Sequence, residues 1–73
     1  MSNLAKKLLE DIQKEYQNRL DEGKSPQCVA FSKEIFITKY NYSEKTLDKL
    51  LDELNDYGHI EKWITDDFEL IID

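Results

Sequence analysis

The sequence predicts an α+β fold built from three helices, a short strand and a C-terminal β-hairpin. Three observations carry that expectation. Apolar residues recur at three- and four-residue spacing near the start of the chain and again over residues 44–56. Two serines, Ser32 and Ser43, each follow an aromatic residue and precede an apolar one at the spacing of a helix entry. After Gly58 the apolar period changes from helical to alternating. With 73 residues, the chain makes one domain over residues 1–73, in the size range that buries only about 60% of its unfolded surface.

The first helix is marked by Leu4, Leu8, Leu9, Ile12, Tyr16 and Leu20, with Ser2 placed to cap its start and Gly23 just past its charged end. In the loop "GKSPQ", Pro26 lacks an N–H and disfavours helix at Ser25, so the chain leaves it extended as the strand "CVAF", residues 28–31. Ser32 then caps a second helix over 33–40, with Phe31 and Phe36 at the spacing of a hydrophobic staple. Tyr42, Ser43 and Leu47 repeat the device and start a third helix at Glu44, whose apolar face is Leu47, Leu50, Leu51 and Leu54. Gly58 stops it by supplying a left-handed conformation. In "HIEKWITDDFELIID", Ile60 and Ile64 share one face of a strand, and Phe68, Leu70 and Ile72 share one face of the next. With "TDD" as the loop, Ile64 pairs with Phe68 and Ile60 with Ile72.

Composition narrows the class of function. Hydrophobic residues at 40% and charged residues at 36% fit a folded soluble module rather than a disordered chain. Cys28 is the single cysteine, which excludes an intramolecular disulfide and points to a reducing, cytoplasmic setting. No stretch approaches the roughly 18 apolar residues of a membrane span, and the start of the chain lacks the apolar run of a signal peptide. Carboxylates are abundant but form no pair with divergent environments, and no phosphate loop or nucleophile motif is present. The expectation is a non-enzymatic protein without catalytic residues, metal or other cofactor. His59, the only histidine, reads as a solvent-edge residue, and Cys28 as a small buried strand residue.

The stretch "SKEIFITKYNYSEKTLDKLLDELNDYGHIEKWI" resembles the second helix, turn, third helix and first wing strand of the winged helix-turn-helix superfamily. The order of elements resembles that family over nearly the whole chain. The resemblance implies a DNA-binding fold in which residues 44–56 enter the major groove and "TDD" is the wing tip. On that alternative, Lys45, Lys49 and Lys62 are the phosphate-contacting residues of a dimeric regulator of transcription or replication.

Charge argues for a different partner. Residues 1–39 carry a net +1 and residues 40–73 a net −7, which together make the overall −6. The excess carboxylate therefore lies in the elements that would face phosphate, where DNA affinity requires basic side chains. The single arginine, Arg19, is on the first helix, away from any reading surface. Glu44, Asp48, Asp52 and Asp56 recur one turn apart and repel, while Asp56 also sits at the negative end of the helix dipole. The plain alternative is a solvated helix face, with Lys45–Asp48, Lys49–Asp52 and Lys49–Glu53 pairs contributing a few tenths of a kcal/mol each. Trp63 is either an exposed anchor beside Ile71 or packed on the first helix or the wing base. The favoured expectation is an inhibitor or adaptor that meets a basic protein surface, such as the nucleic-acid groove of an enzyme, through Glu44, Asp48, Asp52, Asp56, Trp63, Asp66 and Asp67. Compact acidic proteins that phages and mobile elements direct at host machinery resemble it in this respect.

Overall fold

A computed structural model describes residues 1–63 and 66–72. The chain runs α1 (Asn3–Asp21), β1 (Ala30–Ser32), α2 (Lys33–Thr38), α3 (Glu44–Asp56), β2 (Ile60–Lys62) and β3 (Asp67–Leu70). Each helix starts at a serine whose side chain satisfies an otherwise unpaired amide. Ser2 Oγ accepts from the Ala5 amide, Ser32 Oγ from Glu34 and Ser43 Oγ from Thr46. The Phe31 and Phe36 rings lie 6.2 Å apart across the start of α2, as the staple spacing implies. Gly58, at φ +79°, ends α3.

The helices meet in one core. Ala5, Leu8 and Ile12 of α1 pack with Phe36 of α2, with Leu47, Leu50, Leu51 and Leu54 of α3, and with Phe31, Ile60, Phe68 and Leu70 of the sheet. Leu4 does not join them: it is 55% exposed, and Ala5 takes the buried position beside it. The turn between α2 and α3 is held against α1 by polar contacts. Glu15 accepts hydrogen bonds from Lys39 and Tyr40, and Asp11 accepts one from Tyr42. Within the turn, Asn41 adopts φ 63°, a left-handed conformation that asparagine tolerates better than most residues. These contacts fix the direction in which α3 leaves the turn.

The sheet is antiparallel with order β1-β3-β2. The first strand does pair with the C-terminal hairpin, but over residues 30–32 rather than 28–31. Hydrogen bonds from Cys28 to Ser25 and from Val29 to Gln27 keep the preceding residues in a turn, which leaves Cys28 exposed instead of buried. The second helix is also shorter than its pattern suggests and ends at Thr38.

The hairpin register departs from expectation by two residues. Ile60 lies opposite Leu70 rather than Ile72, and Lys62 lies opposite Phe68. A two-residue shift keeps every side chain on its own face, so Ile60, Phe68 and Leu70 remain buried while Ile72 is 49% exposed. The cause is the end of α3. His59 donates to Leu54 O and accepts from Ile71 N, so pairing begins at once after Gly58 and no strand remains for Ile72 to face. Asp67 belongs to β3, opposite Ser32, rather than to a loop. The expected positions of Ile64 and Thr65 lie outside the described residues.

Both sheet edges are covered by side chains. The Val29 carbonyl accepts from Leu70, and the Lys33 amide donates to Asp66. Residues 29, 31 and 33 therefore face β3, and the carbonyls of Cys28 and Ala30 point to the open edge. Arg19 Nη1 donates to both, at 2.9 and 2.6 Å, with its guanidinium 4.0 Å from the Phe31 ring centroid. On the other edge, Asn55 Oδ1 accepts from the Lys62 amide. Edges capped this way resist pairing with another chain.

Candidate interaction surface

Helix α3 and the hairpin enclose a groove of about 360 Å³ lined by Lys33, Asp48, Leu51, Asp52, Lys62, Trp63, Asp66, Asp67 and Phe68. Its floor is apolar because Leu51 and Phe68 belong to the core. Its walls are charged because the outward positions of α3 and the end of the hairpin converge there.

Lys33 joins three elements. From the first position of α2, its Nζ lies 2.6 Å from Asp48 Oδ1 on α3 and 3.4 Å from Asp66 Oδ1, while its backbone amide donates to Asp66 O. The hydrogen bond to Asp48 raises the lysine pKa above its ordinary value, outweighing the opposing effect of burial. Opposite, Lys62 Nζ lies 2.5 Å from Asp52 Oδ1 and ties β2 to α3. The side chains differ in shelter: Lys33 is only 13% exposed, whereas Lys62 and Asp52 are 34% and 65% exposed.

These contacts replace the pairs that helix spacing suggests. Asp48 is held by Lys33 and Asp52 by Lys62, while Glu53 accepts from the Ser2 amide and hydroxyl at the start of α1. Among the described residues, Lys45 and Lys49 form no ion pair with α3 carboxylates or with any others. The structure thus brings Asp48, Asp52, Lys62, Trp63, Asp66 and Asp67 together in one groove. Glu44 and Asp56 remain exposed at the two ends of α3, outside it.

Trp63 is 43% exposed and borders the groove. The register removes its expected neighbour. Its amide donates to Asp67 O, whereas Ile71 pairs with His59 at the far end of the hairpin. Ile71 instead lies with Ile72, Val29 and Pro26 along a separate apolar depression. Glu61 and Glu69 lie directly opposite each other in the ladder, an arrangement of like charges that costs stability.

A second polar group lies between α1 and the turn that joins α2 to α3. Burial raises the Glu15 carboxyl pKa, but hydrogen bonds from Lys39, Tyr40 and Asn18 outweigh it and bring the pKa below its ordinary value. Burial, reinforced by Glu15, pushes the Tyr40 hydroxyl up to about 12. Burial likewise raises Tyr42, with a further push from Asp11. These groups are consumed in holding the turn to α1.

Lys33 and Arg19 escape the sequence reading because their partners are distant along the chain and no local spacing announces them. Among the described residues, no group of three His, Cys, Asp or Glu side chains is placed to hold a metal ion, and no helix is long and apolar enough to cross a membrane. No known protein family, curated protein or solved structure matches the chain.

Proposed function

We propose that the chain is a non-enzymatic winged helix-turn-helix domain that docks its α3 and hairpin side on a basic protein surface, as an inhibitor or adaptor of a nucleic-acid-handling protein. The order α1-β1-α2-α3-β2-β3 and the pairing of β3 between β1 and β2 support the winged-helix reading. The observation that carries the partner is the charge of this side. Asp48, Asp52, Asp66 and Asp67 line the groove, Glu44 and Asp56 stand exposed at the two ends of α3, and two lysines of this side, Lys33 and Lys62, are already held by carboxylates. Arginine, the residue best suited to guanine or phosphate, is committed to the edge of β1.

Exposed rim charges act mainly on the rate of encounter, and complementary potentials suppress wrong partners. The side therefore favours cationic surfaces and disfavours phosphate. Reversal of Glu44 and Asp56 to lysine tests this without breaking the groove ion pairs. Association with a basic protein that binds nucleic acid should slow strongly at low salt and little at high salt. An unchanged association rate across ionic strength would refute the reading.

One observation favours DNA as a second reading. Lys45 and Lys49 are exposed on α3 and unpaired among the described residues, so they are available to phosphate. A dimer could then offset the acidity. Tight binding to mixed duplex DNA at moderate salt, weakened by Lys45→Ala or Lys49→Ala, would establish that reading in place of the first.

A further inference from the structure

We propose that the groove between α3 and the hairpin receives an arginine side chain of the partner, and that Lys62 occupies this position as an internal stand-in until the partner arrives. The inference rests on the basic-partner reading and names its central contact.

The groove already holds a cation in the place where a ligand cation would sit. Lys62 comes from the hairpin wall and reaches Asp52 on the opposite wall. Both members of this pair are solvent-accessible, and exposed ion pairs contribute little net stability. Exchange of one cation for another on Asp52 is therefore inexpensive. Lys33 differs, because it is sheltered and shared between Asp48 and Asp66. It remains in place when Lys62 leaves.

The rest of the lining favours a guanidinium over an ammonium. Trp63 supplies an exposed aromatic wall, and the carboxylates of Asp66 and Asp67 line the same groove as Asp52. A guanidinium stacks on an aromatic face and spans two acceptors with its planar fork, while a lysine ammonium is a compact, strongly hydrated charge.

Trp63 is the only tryptophan, so its emission reports on the groove. The experiment titrates the intact protein with hexa-arginine, hexa-lysine and a short DNA duplex, following Trp63 fluorescence and, in parallel, calorimetry. Hexa-arginine should change the emission saturably and bind about two- to fivefold tighter than hexa-lysine, the scale of an exposed cation–π contact. Lys62→Gln frees Asp52, while Lys45→Gln makes the same change in net charge outside the groove. Lys62→Gln should tighten hexa-arginine binding by about two- to fivefold more than Lys45→Gln does, the scale of one exposed ion pair. Asp52→Asn should abolish the emission change. Equal effects of the two lysine variants, or calorimetric binding with silent Trp63 emission, would overturn the groove assignment and leave the basic-partner reading standing. Binding of the duplex without binding of hexa-arginine would overturn both.

Discussion

Replacement of Arg19 by methionine tests whether one side chain from α1 holds the edge of the sheet. The variant keeps the apolar stem and removes the guanidinium. Lost with it are two hydrogen bonds from a charged donor, to the carbonyls of Cys28 and Ala30, and the contact over the Phe31 ring. Hydrogen bonds to charged groups contribute about 1.5–3 kcal/mol each. Water reaches these edge carbonyls once the cap is gone, so about 1 kcal/mol each is the fitting value, with about 0.5–1 kcal/mol for the ring contact. A total of about 2–3 kcal/mol is a large share of the stability of so small a domain and corresponds to a fall in Tm of roughly 10–20 °C. Urea unfolding followed by circular dichroism measures it. Arg19→Lys, which recovers a charge but not the fork, should recover about half. Sedimentation should also show concentration-dependent association of the methionine variant, because its β1 edge is now open to another chain. A loss below about 0.5 kcal/mol, within the range of an ordinary surface change, with no association, would refute the edge-cap reasoning.

Two further perturbations test the core and the turn. Leu54→Ala, at a fully buried position, should cost about 2–5 kcal/mol, whereas Leu4→Ala, at an exposed one, should stay within about 0.5 kcal/mol; similar costs would contradict the observed facing of α1. Glu15 has a folded pKa below its ordinary 4.5, so its stabilising contribution is present above pH 4.5 and is lost as pH falls through the folded value. Glu15→Gln should therefore cost about 1–2 kcal/mol at pH 7 and flatten the acid-side decline in urea-measured stability, and parallel pH profiles for the two proteins would count against the network.

The parts of the fold legible in the sequence are those set by short-range physics. Ser2, Ser32 and Ser43 announce their helices because a cap and the amide it satisfies are two or three residues apart. The leucines of α3 announce the core because their spacing already defines one helix face. Strand limits are less legible, since they depend on what lies across the sheet. Alternation assigns Ile60, Phe68 and Leu70 to the inner face, but it is blind to a two-residue slide, which leaves every face unchanged. Only the immediate pairing of His59 with Ile71 after Gly58 selects the register, and that choice separates Trp63 from Ile71.

The same distinction governs the candidate site. Counting charges along α3 pairs Lys45 with Asp48 and Lys49 with Asp52, because one turn of helix is all that a linear reading can see. The fold instead brings Lys33 to Asp48 and Lys62 to Asp52, across gaps that no periodicity marks. These pairs leave the total charge unchanged, so the side still repels phosphate at long range. At short range they rearrange what a partner meets: Asp48 is paired with the sheltered Lys33, Asp52 with the more exposed Lys62, and Lys45 and Lys49, unpaired among the described residues, stand outside the groove. Encounter is governed by the first property and specificity by the second. On the proposed reading, a surface whose charge excess draws in a basic partner, yet whose Asp52 is already paired, would discriminate between cations that merely approach and one that displaces Lys62.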